Sequence, residues 1–199
     1  MSVKTDDVYY KAKNLNFSFF SSIKNLPGHL TETYRAYVET DASGGTSIFG
    51  MAPHFEELYS IQLNTDIKKD LIDAYTGKKI KWYSNSGSSL GSLSGICSQL
   101  KLNCFFYLNY NNYSPDNDCL IENYVRAIVS NCKFAAIVAI DSFGLINGCI
   151  TIKDDETESG ILQKRIKDSC GLRLLESYTV GSTSSGRYRL VLHLDKKGD

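Results

Sequence analysis

The sequence predicts an α/β domain with three layers, a sheet that is at least partly parallel, and a C-terminal β-hairpin. Three observations carry this reading. From about residue 79 to 142, short apolar segments alternate with amphipathic ones in strand–helix–strand–helix–strand order, with short connections. The run FAAIVAI, Phe134 to Ile140, is apolar throughout, which fits a strand buried on both faces beneath flanking helices. RLLESYTV and RYRLVLHLD flank GSTSSG, the pattern of two strands joined by a turn. At 199 residues the chain suits a single α/β domain, 1–199. Its stretches are an irregular and hairpin segment (1–43), an α/β core (44–142) and a helix plus hairpin (143–199).

Each element has a local reason. Residues 1–30 are aromatic-rich and irregular, and Pro27-Gly28 reads as a turn. TETYRAYVET alternates in character, DASGG supplies a turn, and TSIFGMA follows as a strand, so the three together read as a hairpin. PHFEELYSIQL reads as a short helix opened by Pro53. DIKKDLIDAYTG is a helix by the spacing of Ile67, Leu71 and Ile72, stopped by Gly77. IKWYSN is a strand, LGSLSGICSQLKL a helix, and NCFFYLNY a second strand. After the polar loop NNYSPDND, CLIENYVRAIVSN is an amphipathic helix and KFAAIVAID a third strand. Beyond the charged loop DDETES, GILQKRIKDSC forms the last helix.

Composition excludes some functions. Lys plus Arg and Asp plus Glu each number 22, so the chain lacks the basic surplus of a nonspecific nucleic-acid binder, and nucleic acid is not an expected partner. No run of about eighteen apolar residues is present, so no membrane span is expected. The start, MSVKTDDVYYKAKNLNF, lacks the apolar centre of a signal peptide, and a cytoplasmic location is expected. The six cysteines form no C-x-x-C pair and have no histidine at zinc-finger spacing, so buried reduced thiols are the reading. His29, His54 and His193 follow no metal-ligand spacing, and no metal is expected.

A serine- and glycine-rich turn carries the chemical lead. Asn85, Ser86, Gly87, Ser88 and Ser89 stand between a strand and a helix. A helix start exposes unpaired N–H groups and a partial positive charge, which attract phosphate or carboxylate. Gly87 permits close approach, and the serines offer hydroxyl donors. The plain alternative is a helix cap and a turn. The stretch matches neither the P-loop pattern nor G-x-G-x-x-G.

The run GGTSIFGM, then LNTDIKKD, then IKWYSNSGSSLGSLSGICSQLKLNCFFYLN resembles the N-terminal part of fold-type II pyridoxal-phosphate enzymes, the threonine synthase and serine dehydratase relatives. The resemblance covers about residues 44–110. It implies a lyase-like enzyme with pyridoxal phosphate as cofactor, Lys69 as the catalytic Schiff-base lysine, and Asn85 to Ser88 as the substrate-carboxylate loop. Ser88 stands for that motif's Asn, and Ser47 for the Pro of the first segment. These departures keep a noncatalytic protein-interaction module on an enzyme-like scaffold as an alternative. The same serine loop is also similar to that of sugar-isomerase domains, which implies sugar-phosphate binding. The expected function is therefore the binding of a small phosphorylated or carboxylated ligand, with a protein partner or homo-oligomer compatible and catalysis left open.

Overall fold

A computed structural model describes residues 34–40, 46–52, 54–62, 80–84, 89–108, 120–140, 158–182 and 187–198. The sheet is built around β1 (Ala36–Thr40), which pairs in parallel with β2 (Glu57–Gln62) on one side and β4 (Cys104–Leu108) on the other. β3 (Ile80–Ser84) extends the sheet beyond β2, and β5 (Ala136–Ile140) extends it beyond β4, both in parallel. β7 (Arg187–Leu194) then runs antiparallel to β5, and β6 (Leu174–Ser182) antiparallel to β7. The order is β3-β2-β1-β4-β5-β7-β6. The expected three-layer α/β architecture and C-terminal antiparallel pair are therefore present.

Two elements differ from the sequence reading. TSIFGM is a short helix, α1 (Thr46–Met51), and β1 does not turn back on it as a hairpin. β1 is flanked by parallel strands on both sides, so β2 is reached by a crossover and not by an antiparallel return. ELYSIQ, read as part of a helix, is strand β2: Leu58 and Ser60 face one side of the sheet, Tyr59 and Ile61 the other. The helix expected in DIKKDLIDAYTG lies outside the described residues.

The helices α2 (Ser89–Gln99) and α3 (Leu120–Asn131) fall where periodicity places them. α2 buries Leu93, Ile96 and Cys97; α3 buries Ile121, Tyr124, Val125 and Ile128. Together with Ile166 and Cys170 of α4 (Glu158–Cys170) they close one face of the sheet over Val38, Phe106 and Val138. The opposite face is covered by Ile48, Phe49 and Met51 of α1, packed with Phe55 on Tyr37, Leu58 and Phe105. Strands β1 and β5 are buried along their full length, as expected of central strands covered on both faces.

A 3₁₀ turn, Gly171–Arg173, joins α4 to β6. Its Arg173 guanidinium donates to the carbonyls of Val129 (2.6 Å), Cys132 (2.8 Å) and Phe134 (2.9 Å), and twice to that of Asp195 (2.9 and 2.7 Å). A helix end leaves carbonyls without intrahelical donors, and this one side chain satisfies them where α3 passes into β5.

Candidate functional site

The carboxyl ends of β1 to β5 lie along one edge of the sheet, because the five strands are parallel and in register. From β1 the chain proceeds outward to β2 and β3, then crosses back to place β4 and β5 on the other side. Strand order therefore reverses between β1 and β4. In open α/β sheets that switch point, outside the carboxyl ends, forms the ligand crevice.

The residues that end β1 are polar and fully buried. AYVET sends Tyr37 and Glu39 to one face and Ala36, Val38 and Thr40 to the other. Glu39 stands in register with Ser60 on β2 and Tyr107 on β4. Its Oε1 accepts a hydrogen bond from Ser60 Oγ at 3.0 Å, and its Oε2 one from Tyr37 Oη at 3.2 Å. A buried carboxylate costs several kcal/mol unless donors surround it. These two hydroxyls hold the Glu39 carboxylate in one orientation at the switch point. Thr40, the last residue of β1, is also fully buried, and among the described residues its Oγ1 has no hydrogen-bond partner. Such a group is costly unless something satisfies it.

Of the serine-rich stretch, Ser89 is the residue that the structure describes. Ser89 is the first residue of α2 and is buried, its Oγ sharing a 2.5 Å hydrogen bond with Tyr124 Oη of α3. That bond ties the starts of α2 and α3 together. Asn85, Ser86, Gly87 and Ser88 lie outside the described residues, as does Lys69. Sequence reasoning missed Glu39, Thr40 and Ser60. The available signal was an acidic residue and a threonine ending an apolar strand, just before the Gly-containing stretch DASGG.

The four described thiols sit elsewhere; Cys119 and Cys149 lie outside the described residues. Cys104 opens β4 and Cys132 follows α3, both toward the amino edge of the sheet, and Cys97, Cys104, Cys132 and Cys170 are free and buried. Burial raises all four thiol pKa values, Cys170 to about 11, although the Arg173 charge offsets part of this for Cys97, Cys132 and Cys170. They are packed side chains and not nucleophiles. Among the described residues no cluster of three His, Cys, Asp or Glu is arranged to hold a metal ion. None of the described helices is long and apolar enough to cross a membrane.

No protein-family model matches the sequence, and no curated protein matches it. Solved structures do match, over nearly the whole chain. An S-adenosylmethionine-dependent methyltransferase from Clostridium acetobutylicum has a TM-score of 0.57 at 12% identity, covering 98% of this chain and 95% of its own. A putative O-methyltransferase from Klebsiella pneumoniae has a TM-score of 0.57 at 14% identity, covering 96% and 90%. The O-methyltransferase TomG from Streptomyces achromogenes, solved in complex with SAM, has a TM-score of 0.54 at 16% identity and covers the same shares, 96% and 90%. The chain shares their fold.

That finding overturns the pyridoxal-phosphate resemblance. Its first motif contains TSIFGM, which is the helix after the central strand of one seven-stranded sheet. The chain's matches are to methyltransferases, over 98% and 96% of its own length, and not to the N-terminal part of a fold-type II enzyme. The cofactor reading of Lys69 as a Schiff-base lysine, the reading of residues 85–88 as a carboxylate loop of that family, and the sugar-phosphate reading all rested on short strings of Ser, Gly and Lys. Such strings recur wherever a strand turns into a helix, so they do not distinguish one α/β fold from another.

Proposed function

We propose that this chain binds S-adenosylmethionine at the carboxyl ends of β1 and β4 and acts as a methyltransferase. The observation that carries the reading is the buried Glu39–Thr40 pair at the point where strand order reverses. The fold shared with three proteins described as methyltransferases, one of them holding SAM, supports it.

The residues present fit such a group. The ligand carries an ammonium, a sulfonium and ribose hydroxyls, and Glu39 offers a carboxylate acceptor already oriented by Tyr37 and Ser60. Thr40 offers a buried hydroxyl that is otherwise unsatisfied among the described residues. When bound, S-adenosylmethionine supplies an electrophilic methyl group. The protein's part is to bind and orient: Tyr37 and Ser60 fix the carboxylate, and the apolar residues beneath keep water from it. We also place Asn85, Ser86, Gly87 and Ser88 at the rim of the same crevice, since they follow the carboxyl end of β3. Ser89 serves this rim by anchoring α2 to Tyr124.

Calorimetric titration with S-adenosylhomocysteine tests the reading. We expect saturable one-to-one binding that Glu39→Gln weakens by roughly ten- to a hundredfold, the loss of one charge-assisted hydrogen bond of about 1.5–3 kcal/mol. Ser60→Ala should weaken it less, because Tyr37 still holds the carboxylate. Folded wild-type protein that binds neither S-adenosylhomocysteine nor S-adenosylmethionine overturns the proposal.

A further inference from the structure

We infer that residues 1–33 cover the sheet over β5 and β7, docking by their aromatic side chains on the face that carries Tyr178 and His193. On that face Ile137 and Ala139 of β5 and Val191 of β7 are buried, at 0, 2 and 5% exposure. Ala135 and Tyr178 are partly buried with them. Something therefore lies over these strands, since an apolar sheet face left bare to water would be exposed. The described helices do not account for it. α2, α3 and α4 pack on the opposite face. On this face the described cover sits over β1 and leads away from β5. Phe55 stands against Tyr37 of β1 and Phe105 of β4, with ring centroids 5.2 and 6.2 Å apart, and Phe49 of α1 stands against Trp82 of β3 at 6.1 Å.

The connections between elements select the occupant. Residues 109–119 and 141–157 start at the carboxyl edge and lead to α3 and α4, on the other face. Residues 63–79 join β2 to β3, at the side of the sheet away from β7. The buried patch reaches the amino edge: Ile137 and His193 are a register pair one step in from Ala136, the first residue of β5. Residues 1–33 deliver the chain to that edge. Arg35 donates its N–H to the carbonyl of Asn103, just before β4, at 3.0 Å, and Tyr34 beside it is buried in this same face. β1 and β7 stand three strand spacings apart, about 14 Å. Burial raises the Tyr34 phenol pKa, and the charge of Asp195, just past the end of β7, adds to it. The phenol therefore lies on the β7 side of its own strand, and the residues before it enter over β4 and β5.

The chemistry of the two sides agrees. Tyr9, Tyr10, Phe17, Phe19 and Phe20 bring large apolar side chains to an apolar face. That face also holds two buried polar atoms, Tyr178 Oη and His193 Nε2, on rings 5.9 Å apart. Among the described residues neither has a hydrogen-bond partner, and such atoms are costly when left unpaired. Ser18, Ser21 and Ser22, interleaved with the phenylalanines, carry hydroxyls that can donate or accept. The reach suffices: β1 to β6 is four strand spacings, about 19 Å, which about 13 residues cross even as a helix. A second copy fits less well, because the patch is already buried within a single chain.

Photo-cross-linking in the full chain tests this. Tyr178→p-benzoylphenylalanine, irradiated in the folded state, should give a link within one chain, keeping the 22.2 kDa mass and joining the β6 peptide to a peptide from 1–33. The same photoreactive side chain in place of Lys81, on the opposite edge, should not link to 1–33. A second measurement leaves the face itself untouched. Phe17→Ser combined with Phe19→Ser and Phe20→Ser should raise the fluorescence of a dye for exposed apolar surface by roughly threefold or more, with the circular dichroism of the sheet retained. Links from position 178 only to peptides outside 1–33, links only to a second copy, or no link from a folded variant overturn the inference. So does a folded triple variant that binds the dye no better than the wild type.

Discussion

Arg173 acts as a C-terminal cap for a helix to which it does not belong. Its five donated hydrogen bonds gather the end of α3, the approach to β5 and the exit from β7 at one point. A planar guanidinium suits this, because its donors diverge in fixed directions toward several carbonyls. Arg173→Ala should destabilise the fold by about 2–4 kcal/mol, since several carbonyls lose a charged donor together. Arg173→Lys should recover only part of that, because an ammonium concentrates its donors at one atom. Urea denaturation midpoints at constant slope measure both, and an Arg173→Ala protein with the wild-type midpoint refutes the capping role. Nothing in LRLLES marks Arg173 as special, because its partners lie about 40 residues back and 22 residues ahead. The candidate site hid in a similar way. Glu39 becomes notable only when Ser60 is brought beside it from β2, whereas Ser and Gly at 85–89 draw attention by composition alone.

Among the elements, those that form by strong local pattern were legible and those decided by neighbours were not. β4, α3, β5, α4 and the β6–β7 pair follow directly from apolar runs and helical spacing. TSIFGM has only six residues, too few for a 3.6-residue period to show, and its Thr, Ile and Phe favour strands in isolation. ELYSIQ becomes a strand because β1 and β3 pair with it on both sides, which overrides the helical reading from Pro53. The contact of α3 with α4 is likewise tertiary. Glu122, in the first turn of α3 and nearly buried, accepts from Arg126 Nη2 at 2.6 Å and pairs with Arg165 Nη2 of α4 at 2.5 Å. Both arginines keep access to water, with side chains 60% and 45% exposed, so the pair is partly screened. Glu122→Ala should cost about 1–2 kcal/mol. A double-mutant cycle with Arg165→Ala should give a coupling of about 0.5–1.5 kcal/mol, and zero coupling would show that α4 is docked by Ile166 and Cys170 alone.

At the scale of the whole molecule, the sequence conveyed the α/β class but not the strand order. The strand–helix–strand run from 79 to 142 reads as if its strands were neighbours, yet β1 and β2 stand between β3 and β4. That separation creates the crevice, and it depends on pairings between residues far apart in the chain. The same order sets how the molecule opens. β1, β4 and β5 are bonded on both sides and covered on both faces, so their amides can exchange only when the core unfolds; among the described strands β3 and β6 are bonded on one side. Hydrogen exchange should therefore be slowest in β1, β4 and β5, at a free energy near that of global unfolding, and faster at both edges. Adding S-adenosylhomocysteine should further slow exchange at the carboxyl ends of β1 and β4. Edge strands that exchange as slowly as β1 would show that the sheet has no free edge and would refute this ordering of the fold.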